Sequence, residues 1–151
     1  MEPITVNYKV LDARAKVPAY ATPGSAAADL CAVLDEPLTL APMQRALVPT
    51  GLAIELPGAE YGAFVFARSG LAVKKGLTLS NGVGVIDSDY ARSDNEGHIF
   101  MRMTNDSREG KTLIVPSGTA FAQGIFLPFG ITVDDHAQGV RNGGLGSTTG
   151  H

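Results

Sequence analysis

Glycine and proline recur along the whole chain and divide it into short segments. The sequence contains 18 glycines and 9 prolines in 151 residues. Both residues interrupt helices, because glycine has a high entropic cost there and proline lacks the amide donor. Short segments bounded by such turn residues are typical of β-strands. The chain is therefore predicted to be an all-β protein.

The segments between the turns carry strand patterns. Residues 52–56 and 98–103 alternate between apolar and polar positions, which predicts one buried face for each strand. Further strands are predicted at residues 61–66, 77–79, 112–115 and 121–127. Many short strands in one chain of this length indicate a single sandwich or barrel. The one predicted helix covers residues 69–75 and ends at Gly76, a residue that favours the left-handed conformation of a helix C-terminus.

Charge and hydropathy exclude several classes of protein. The formal net charge is −3 and the sequence has no basic stripe, so no nucleic-acid partner is expected. No apolar run is long enough to span a bilayer, and residues 1–3 do not resemble a signal peptide, so no membrane partner and a cytoplasmic location are expected. Cys31 is the one cysteine, which excludes an internal disulfide.

The most informative segment is residues 82–91. A turn signal at Asn81-Gly82 precedes an apolar strand, and Asp87, Asp89 and Tyr90 follow that strand at once. A carboxylate fixed at a strand end can hold and deprotonate a water molecule. The aromatic ring beside it can form a platform for a sugar or a base. The alternative interpretation is a solvated turn aspartate with a half-buried tyrosine.

Three other segments carry candidate binding residues. Arg68, Ser69 and Gly70 stand where a strand meets the predicted helix, and a helix N-terminus attracts anions. Asp29 follows a run of small residues and could face a hydrated metal ion, although such an aspartate is more often a turn residue. Gln123 is a polar group inside an apolar strand, where it needs hydrogen-bond partners.

The C-terminal tail, residues 141–151, differs from the rest of the chain. Arg141 is followed by glycines and by hydroxyl side chains, and the segment has no apolar face. Consecutive glycines let neighbouring amides form an anion-binding nest. We therefore predict a β domain at residues 1–140 and a flexible arm at residues 141–151.

Taken together, five segments resemble the five motifs of the trimeric deoxyuridine triphosphatase (dUTPase) family, in order. They are residues 26–32, 67–72, 81–90, 118–123 and 143–148. The resemblance runs from about residue 24 to the end of the chain. It implies a jelly-roll-like β fold with one short helix and a mobile C-terminal arm. It also implies a homotrimer with shared active sites that hydrolyses dUTP to dUMP and pyrophosphate with Mg²⁺.

The same resemblance implies a role for each matched residue. Asp87 would activate the attacking water, Tyr90 would stack under the deoxyribose, and Asp29 would hold a water of the Mg²⁺ shell. The substrate-binding residues would be Asn81, Gly84 and Ile86 around the base, Arg68, Ser69, Gly70 and Gln123 at the phosphates, and Arg141, Leu145, Gly146, Ser147 and Thr148 in the tail, which would close over the triphosphate from a neighbouring subunit.

The sequence departs from the family pattern at three places. Residues 91–97 form a longer and more polar connection than usual, which predicts a widened loop or bulge near the sugar pocket. Leu145 replaces the usual aromatic residue of the fifth motif, and Ala120-Phe121 replaces a basic-apolar pair in the fourth. Three other functions stay open: a deaminase acting on dCTP, or a bifunctional dCTP deaminase and dUTPase, that uses Glu96; a non-catalytic nucleotide-binding module; and an unrelated β-sandwich binding protein.

Overall fold

The computed structural model describes residues 2–144, and the elements in that part are mostly strands. The strands are β1 Asn7–Val10, β2 Ala28–Cys31, β3 Leu38–Leu40, β4 Arg45–Glu55, β5 Tyr61–Ala67, β6 Leu77–Leu79, β7 Gly84–Ile86, β8 His98–Asn105, β9 Leu113–Val115 and β10 Ala120–Pro128. One α-helix, α1, covers Ser69–Lys75, and a 3-10 helix covers Tyr90–Arg92. The prediction of an all-β protein with one short helix is confirmed.

The strands form two four-stranded antiparallel sheets and a two-stranded ribbon. The first sheet has the order β1-β4-β8-β6, the second has the order β2-β10-β5-β7, and β3 pairs with β9. Strands that are distant in the sequence are neighbours in both sheets, as expected of a jelly-roll-like sandwich. None of the helices among residues 2–144 is long and apolar enough to cross a membrane.

The core lies between the two sheets. In β8, Ile99, Met101 and Met103 point inward, as the alternation predicts. From the second sheet, Leu30 and Phe121 meet them, both almost fully buried. These apolar side chains are the main contribution to the stability of the sandwich.

The predicted alternation in residues 52–56 is wrong in detail. Leu52, Ala53 and Ile54 are all buried, and the strand begins much earlier, at Arg45. The register of β4 against β8 shifts between Pro49 and Ala53. Such a bulge twists the strand locally, so consecutive side chains can both be covered.

The end of α1 agrees with the prediction. Gly76 follows Lys75 with a φ of 77°, and its N–H bonds back to the carbonyl groups of Leu71 and Ala72. A Cβ at this position would lie 2.8 Å from the backbone nitrogen of Ser107. Glycine is therefore required here by both conformation and space.

The turn at residues 80–83 carries the chain from one sheet to the other. β6 is an edge strand of the first sheet and β7 is an edge strand of the second. Gly82 has a φ of 76°, which the predicted Asn-Gly turn allows. The two flanking strands do not pair with each other, so this turn opens a gap between the sheet edges rather than closing a hairpin.

Candidate active site

The end of β7 presents Asp87 and Tyr90 on one turn. Ile86 points into the core, and Asp87 follows it with its side chain 52% exposed. The N–H of Tyr90 donates to the carbonyl of Asp87 at 3.1 Å, which folds the chain back at this point. The tyrosine ring is thereby held beside the carboxylate, with 9% of Tyr90 exposed.

A pocket of about 560 Å³ opens beside this turn. Six of its lining residues were predicted as site residues from the sequence: Asn81, Gly84, Ile86, Asp87, Tyr90 and Arg141. A Cβ on Gly84 would lie 3.3 Å from both Met101 and Val65, so glycine lets β7 pack closely on the core at this wall. The pocket volume lies within the range of sites for small organic ligands.

Seven further residues line the pocket that the sequence did not identify as site residues, and three of them lie on the outer sides of long strands. Arg45, Phe100 and Arg102 lie on β4 and β8, on the sides of the strands that face away from the core. The alternation of β8 places Phe100 and Arg102 opposite Met101. Their position in a pocket depends on the pairing of Leu47 with Arg102 across two strands, which no local pattern reveals.

The first residues of the C-terminal tail lie over the chain's own Asp87. Arg141 donates from Nε to Asp89 at 2.6 Å and from its terminal nitrogen to Asp87. The carbonyl of Asn142 accepts from the N–H of Asp94 at 3.0 Å. Burial opposes the charge of Arg141, but the two carboxylates outweigh it and raise the pKa of the guanidinium.

Gly144 lies directly against the Tyr90 ring. A Cβ on Gly144 would be 2.7 Å from Cε2 of Tyr90, which no side chain tolerates. The remaining tail residues that were predicted as binding residues, Leu145, Gly146, Ser147 and Thr148, lie outside the described residues.

A second polar cluster forms where β10 lies between β2 and β5. Gln123 is level with Asp29 on one side and with Phe66 on the other. Nε of Arg68 contacts Asp29 at 3.0 Å, and Nε2 of Gln123 donates to the carbonyl of Ala67 at 3.2 Å. This arrangement brings together three residues that are distant in the sequence.

The start of α1 adds donors to this cluster. Arg68 is the N-cap residue, with an extended backbone and no side-chain capping bond. Ser69 and Gly70 follow and are both exposed. The first amides of a helix have no acceptor within the helix, so they can bind an anion.

The two clusters are far apart within one chain. Ala63 of β5 pairs with Ile86 of β7, so in this antiparallel pair Asp87 lies level with Gly62. Arg68 comes six residues after Gly62, directly beyond the end of β5. At about 3.3 Å for each residue, the two positions are about 20 Å apart. The two clusters therefore do not form a single small-molecule site within one chain.

The carboxylates do not form a direct metal cage. Among residues 2–144 no group of three or more His, Cys, Asp or Glu side chains lies close enough to hold a metal ion. Asp29, with a side chain 30% exposed, is a single acceptor beside a cationic partner. This donor set suits a Mg²⁺ ion that keeps its waters and takes its other ligands from phosphates.

Glu96, the acid candidate for a deaminase, is turned away from the pocket. Its carboxylate pairs with Lys9 of β1 at 3.2 Å, and both side chains are more than half exposed. The widening predicted for residues 91–97 stays a prediction. The segment begins in the 3-10 helix Tyr90–Arg92 and continues in a turn in which Glu96 and Gly97 have positive φ values, and the N–H of Ser93 donates to the carbonyl of Tyr90.

Comparisons with known proteins agree with this geometry. A dUTPase family model matches residues 13–149. The chain is 48% identical to a deoxyuridine 5'-triphosphate nucleotidohydrolase of Desulfitobacterium hafniense, over 96% of this chain and 95% of the relative. It is 46% identical to one of Burkholderia multivorans, over 97% and 99%. The crystal structure of the dUTPase from Streptococcus mutans superposes with a TM-score of 0.72 at 33% identity, over 83% of this chain and 97% of that one. The chain belongs to the dUTPase family.

Proposed function

We propose that this chain hydrolyses dUTP to dUMP and pyrophosphate by attack of water on the α-phosphate. The observation that carries the proposal is the exposed carboxylate of Asp87 beside the Tyr90 ring at the mouth of the pocket. Relatives that align over nearly the whole chain bear the name of this activity. Removal of dUTP from the nucleotide pool, supply of dUMP and a cytoplasmic location are part of the same proposal.

In this mechanism Asp87 positions the attacking water and accepts its proton. Phosphoryl transfer needs an in-line nucleophile and neutralised oxygens rather than covalent help from the protein. Because Arg141 covers Asp87 in the described structure, the guanidinium has to leave the carboxylate when a nucleotide enters. The phosphates offer it an alternative anionic partner.

The pocket wall supplies the selection of the nucleoside. Asn81 and the backbone of Gly84 would bind the uracil edge, and Ile86 would pack beside them. Tyr90 would lie under the deoxyribose and leave no space for a 2′-hydroxyl. The close packing of Gly84 against Val65 and Met101 supports this assignment, because it fixes the backbone that would bind the base.

The Arg68 cluster would bind the remaining phosphates. Arg68, Ser69, Gly70 and Gln123 provide a cation, a hydroxyl, backbone amides and a side-chain amide within one region. Asp29 would accept from a water of a phosphate-bound Mg²⁺. Such an ion, when bound, neutralises phosphate charge.

We also propose a homotrimer in which each active site uses residues from more than one chain. The separation of Asp87 from Arg68 within one chain supports this, because the site is incomplete without a partner. An exposed row of apolar side chains near the end of the chain also supports it: Leu127, Phe129, Ile131 and Val133. Leu127 lies near the end of β10 and the other three follow it outside the strands, and exposed apolar side chains of this kind are typical of a surface that contacts another chain. The C-terminal arm, residues 141–151, would complete a site of the trimer.

The test is pyrophosphate release from dUTP, dTTP, dCTP and UTP with Mg²⁺, combined with ammonia release from dCTP. We expect pyrophosphate from dUTP far above the other three and no ammonia. Ammonia from dCTP would replace the proposal with a deaminase. Tight dUTP binding without pyrophosphate would replace it with a non-catalytic nucleotide-binding module.

A further inference from the structure

Tyr90 is held at its hydroxyl and at its carbonyl by a polar network in the loop that follows it. The hydroxyl donates to the carbonyl of His98 at 2.8 Å and accepts from Nδ2 of Asn95 at 3.0 Å. Oδ1 of Asn95 accepts from the N–H of Gly97 at 3.2 Å. The hydroxyl of Ser93 lies 2.6 Å from the Tyr90 carbonyl and 2.7 Å from Oδ1 of Asn95. We refer to these five residues as the tyrosine network.

The orientation of the Asn95 amide is fixed by backbone groups. Gly97 presents an N–H and therefore requires the oxygen, whereas the His98 carbonyl, 3.3 Å from Nδ2, requires the nitrogen. With this assignment Asn95 directs a donor at the tyrosine hydroxyl. The hydroxyl proton then points to His98, so the ring tip has one partner on each side.

The loop that carries this network is closely packed. Ser93 is 5% exposed. A Cβ on Gly97 would lie 2.6 Å from Cα of Ala91, and Gly97 has a φ of 74°, so the turn accepts only glycine there. Because this backbone is fixed, the hydrogen-bonding groups of the tyrosine network cannot move together with the Tyr90 ring, and they therefore restrain it.

We infer that Asn95 is a positioning residue that fixes the Tyr90 ring and thereby sets the discrimination between deoxyribose and ribose. The inference rests on the proposed function. Selection against a 2′-hydroxyl is the difference between the affinities for dUTP and for UTP. That difference depends on the distance between the Tyr90 ring and the sugar above it. Without its partner on Asn95, the ring tip can shift and make room for the extra oxygen.

The test compares Asn95→Ala with Asp94→Ala, an exposed neighbour in the same loop, and measures kcat/KM for dUTP and for UTP. For Asn95→Ala we expect the ratio of dUTP to UTP to fall roughly 3- to 10-fold, the effect of one hydrogen bond. For Asp94→Ala we expect the wild-type ratio. An unchanged ratio in Asn95→Ala would overturn the inference, even if its melting temperature falls.

Tyr90→Phe makes the test independent of the folding of Asn95→Ala. This variant keeps the ring and removes only the hydroxyl, so we expect a similar fall in the ratio. In the double variant the two effects should not add, because both remove the same contact. Additive effects would show that Asn95 acts by another route and would overturn the inference.

Ring flipping of Tyr90, measured by NMR on ¹³C-labelled tyrosine, gives a readout without turnover. We expect slow flipping in the wild type and faster flipping in Asn95→Ala; equal rates would reject the positioning role. If the wild type does not hydrolyse dUTP, the proposed function is wrong, and this measurement still decides whether Asn95 holds the ring.

Discussion

Asp87 combines exposure with an ion pair to Arg141, and this combination suits a base that must release its partner before acting. The carboxylate lies at the pocket and contacts Arg141, which also binds Asp89. An ion pair with one half-exposed member exchanges readily, since solvent screens it. Asp89 does not line the pocket and serves here as the matched comparison.

For Asp87→Asn we expect turnover of dUTP to fall roughly 10²- to 10⁴-fold, because the amide cannot accept the proton of the water. Nucleotide binding, measured by calorimetry, should be largely retained. Asp89→Asn should have a much smaller effect on turnover. Normal turnover in Asp87→Asn would remove Asp87 from the mechanism.

His98 connects the tyrosine network to the first sheet. Its Nε2 accepts from the N–H of Gly51 at 3.0 Å, and its ring packs on Phe100 with centroids 4.0 Å apart. Burial lowers the pKa of His98, although the charge of Asp12 acts in the opposite direction. Protonation would also remove the acceptor that Gly51 uses.

The free energy of unfolding should therefore decrease as the pH falls below about 6.5, the ordinary pKa of histidine. In that range the unfolded chain binds a proton at His98 and the folded chain does not, until the lower folded-state pKa is reached. Urea unfolding at about pH 7.5 and about pH 5.5 measures this difference. In His98→Gln, whose side-chain oxygen can accept without titrating, the difference should be smaller; an equal difference would contradict the assignment.

Among the elements, the described start of the tail packs as a strap over the site. Arg141, Asn142 and Gly144 contact Asp87, Asp94 and Tyr90 respectively. These contacts connect the tail to the strand end and to the following loop within one chain.

Removal of residues 141–151 should expose the N–H of Asp94, which donates to the Asn142 carbonyl. Amide hydrogen exchange measures this, and we expect faster exchange at Asp94 in the truncated chain. The N–H of Ser93 donates to the Tyr90 carbonyl and should keep its protection as an internal control. Equal protection of Asp94 with and without the tail would show that the strap does not persist in solution.

The elements also show how far the sequence predicts the fold. α1 and β6 were predicted at their observed bounds, because Gly76 and the Asn-Gly turn impose positive φ values that local chemistry specifies. β1, β2 and β3 were missed. β1 alternates polar and apolar residues, but only over four mostly exposed positions, which is too short a pattern to identify an edge strand from the sequence.

In the candidate site too, the sequence predicted the residues that lie on one turn and missed those whose position depends on strand pairing. Asp87 and Tyr90 were found because they follow one another on a single turn. Asn95 was read only as part of a polar loop, since its role depends on the orientation of one amide. Arg45 and Arg102 depend on the pairing of two long strands, which is information about the whole sheet.

At the scale of the molecule, one chain carries the two separate clusters that we propose to be halves of a shared active site. The Asp87 turn and the Arg68 cluster lie at different ends of the β5–β7 pair. A closed ring of identical chains can bring the first half-site of one copy against the second half-site of the next, by a head-to-tail interface.

Co-expression of Asp87→Asn with Arg68→Ala tests this arrangement. Each variant alone should have little activity. In random mixtures, roughly a quarter of the sites receive an intact Asp87 from one chain and an intact Arg68 from another, so about that share of wild-type activity should return. Activity in the mixture no higher than that of the two parents would place both residues of a site on the same chain.

The turn at residues 80–83 places the pocket in contact with both sheets. Because the pocket lies where an edge of one sheet meets an edge of the other, a bound nucleotide touches both layers at once. Under the proposed function, dUTP would therefore connect the two layers while it is bound, and release of the products would remove that connection.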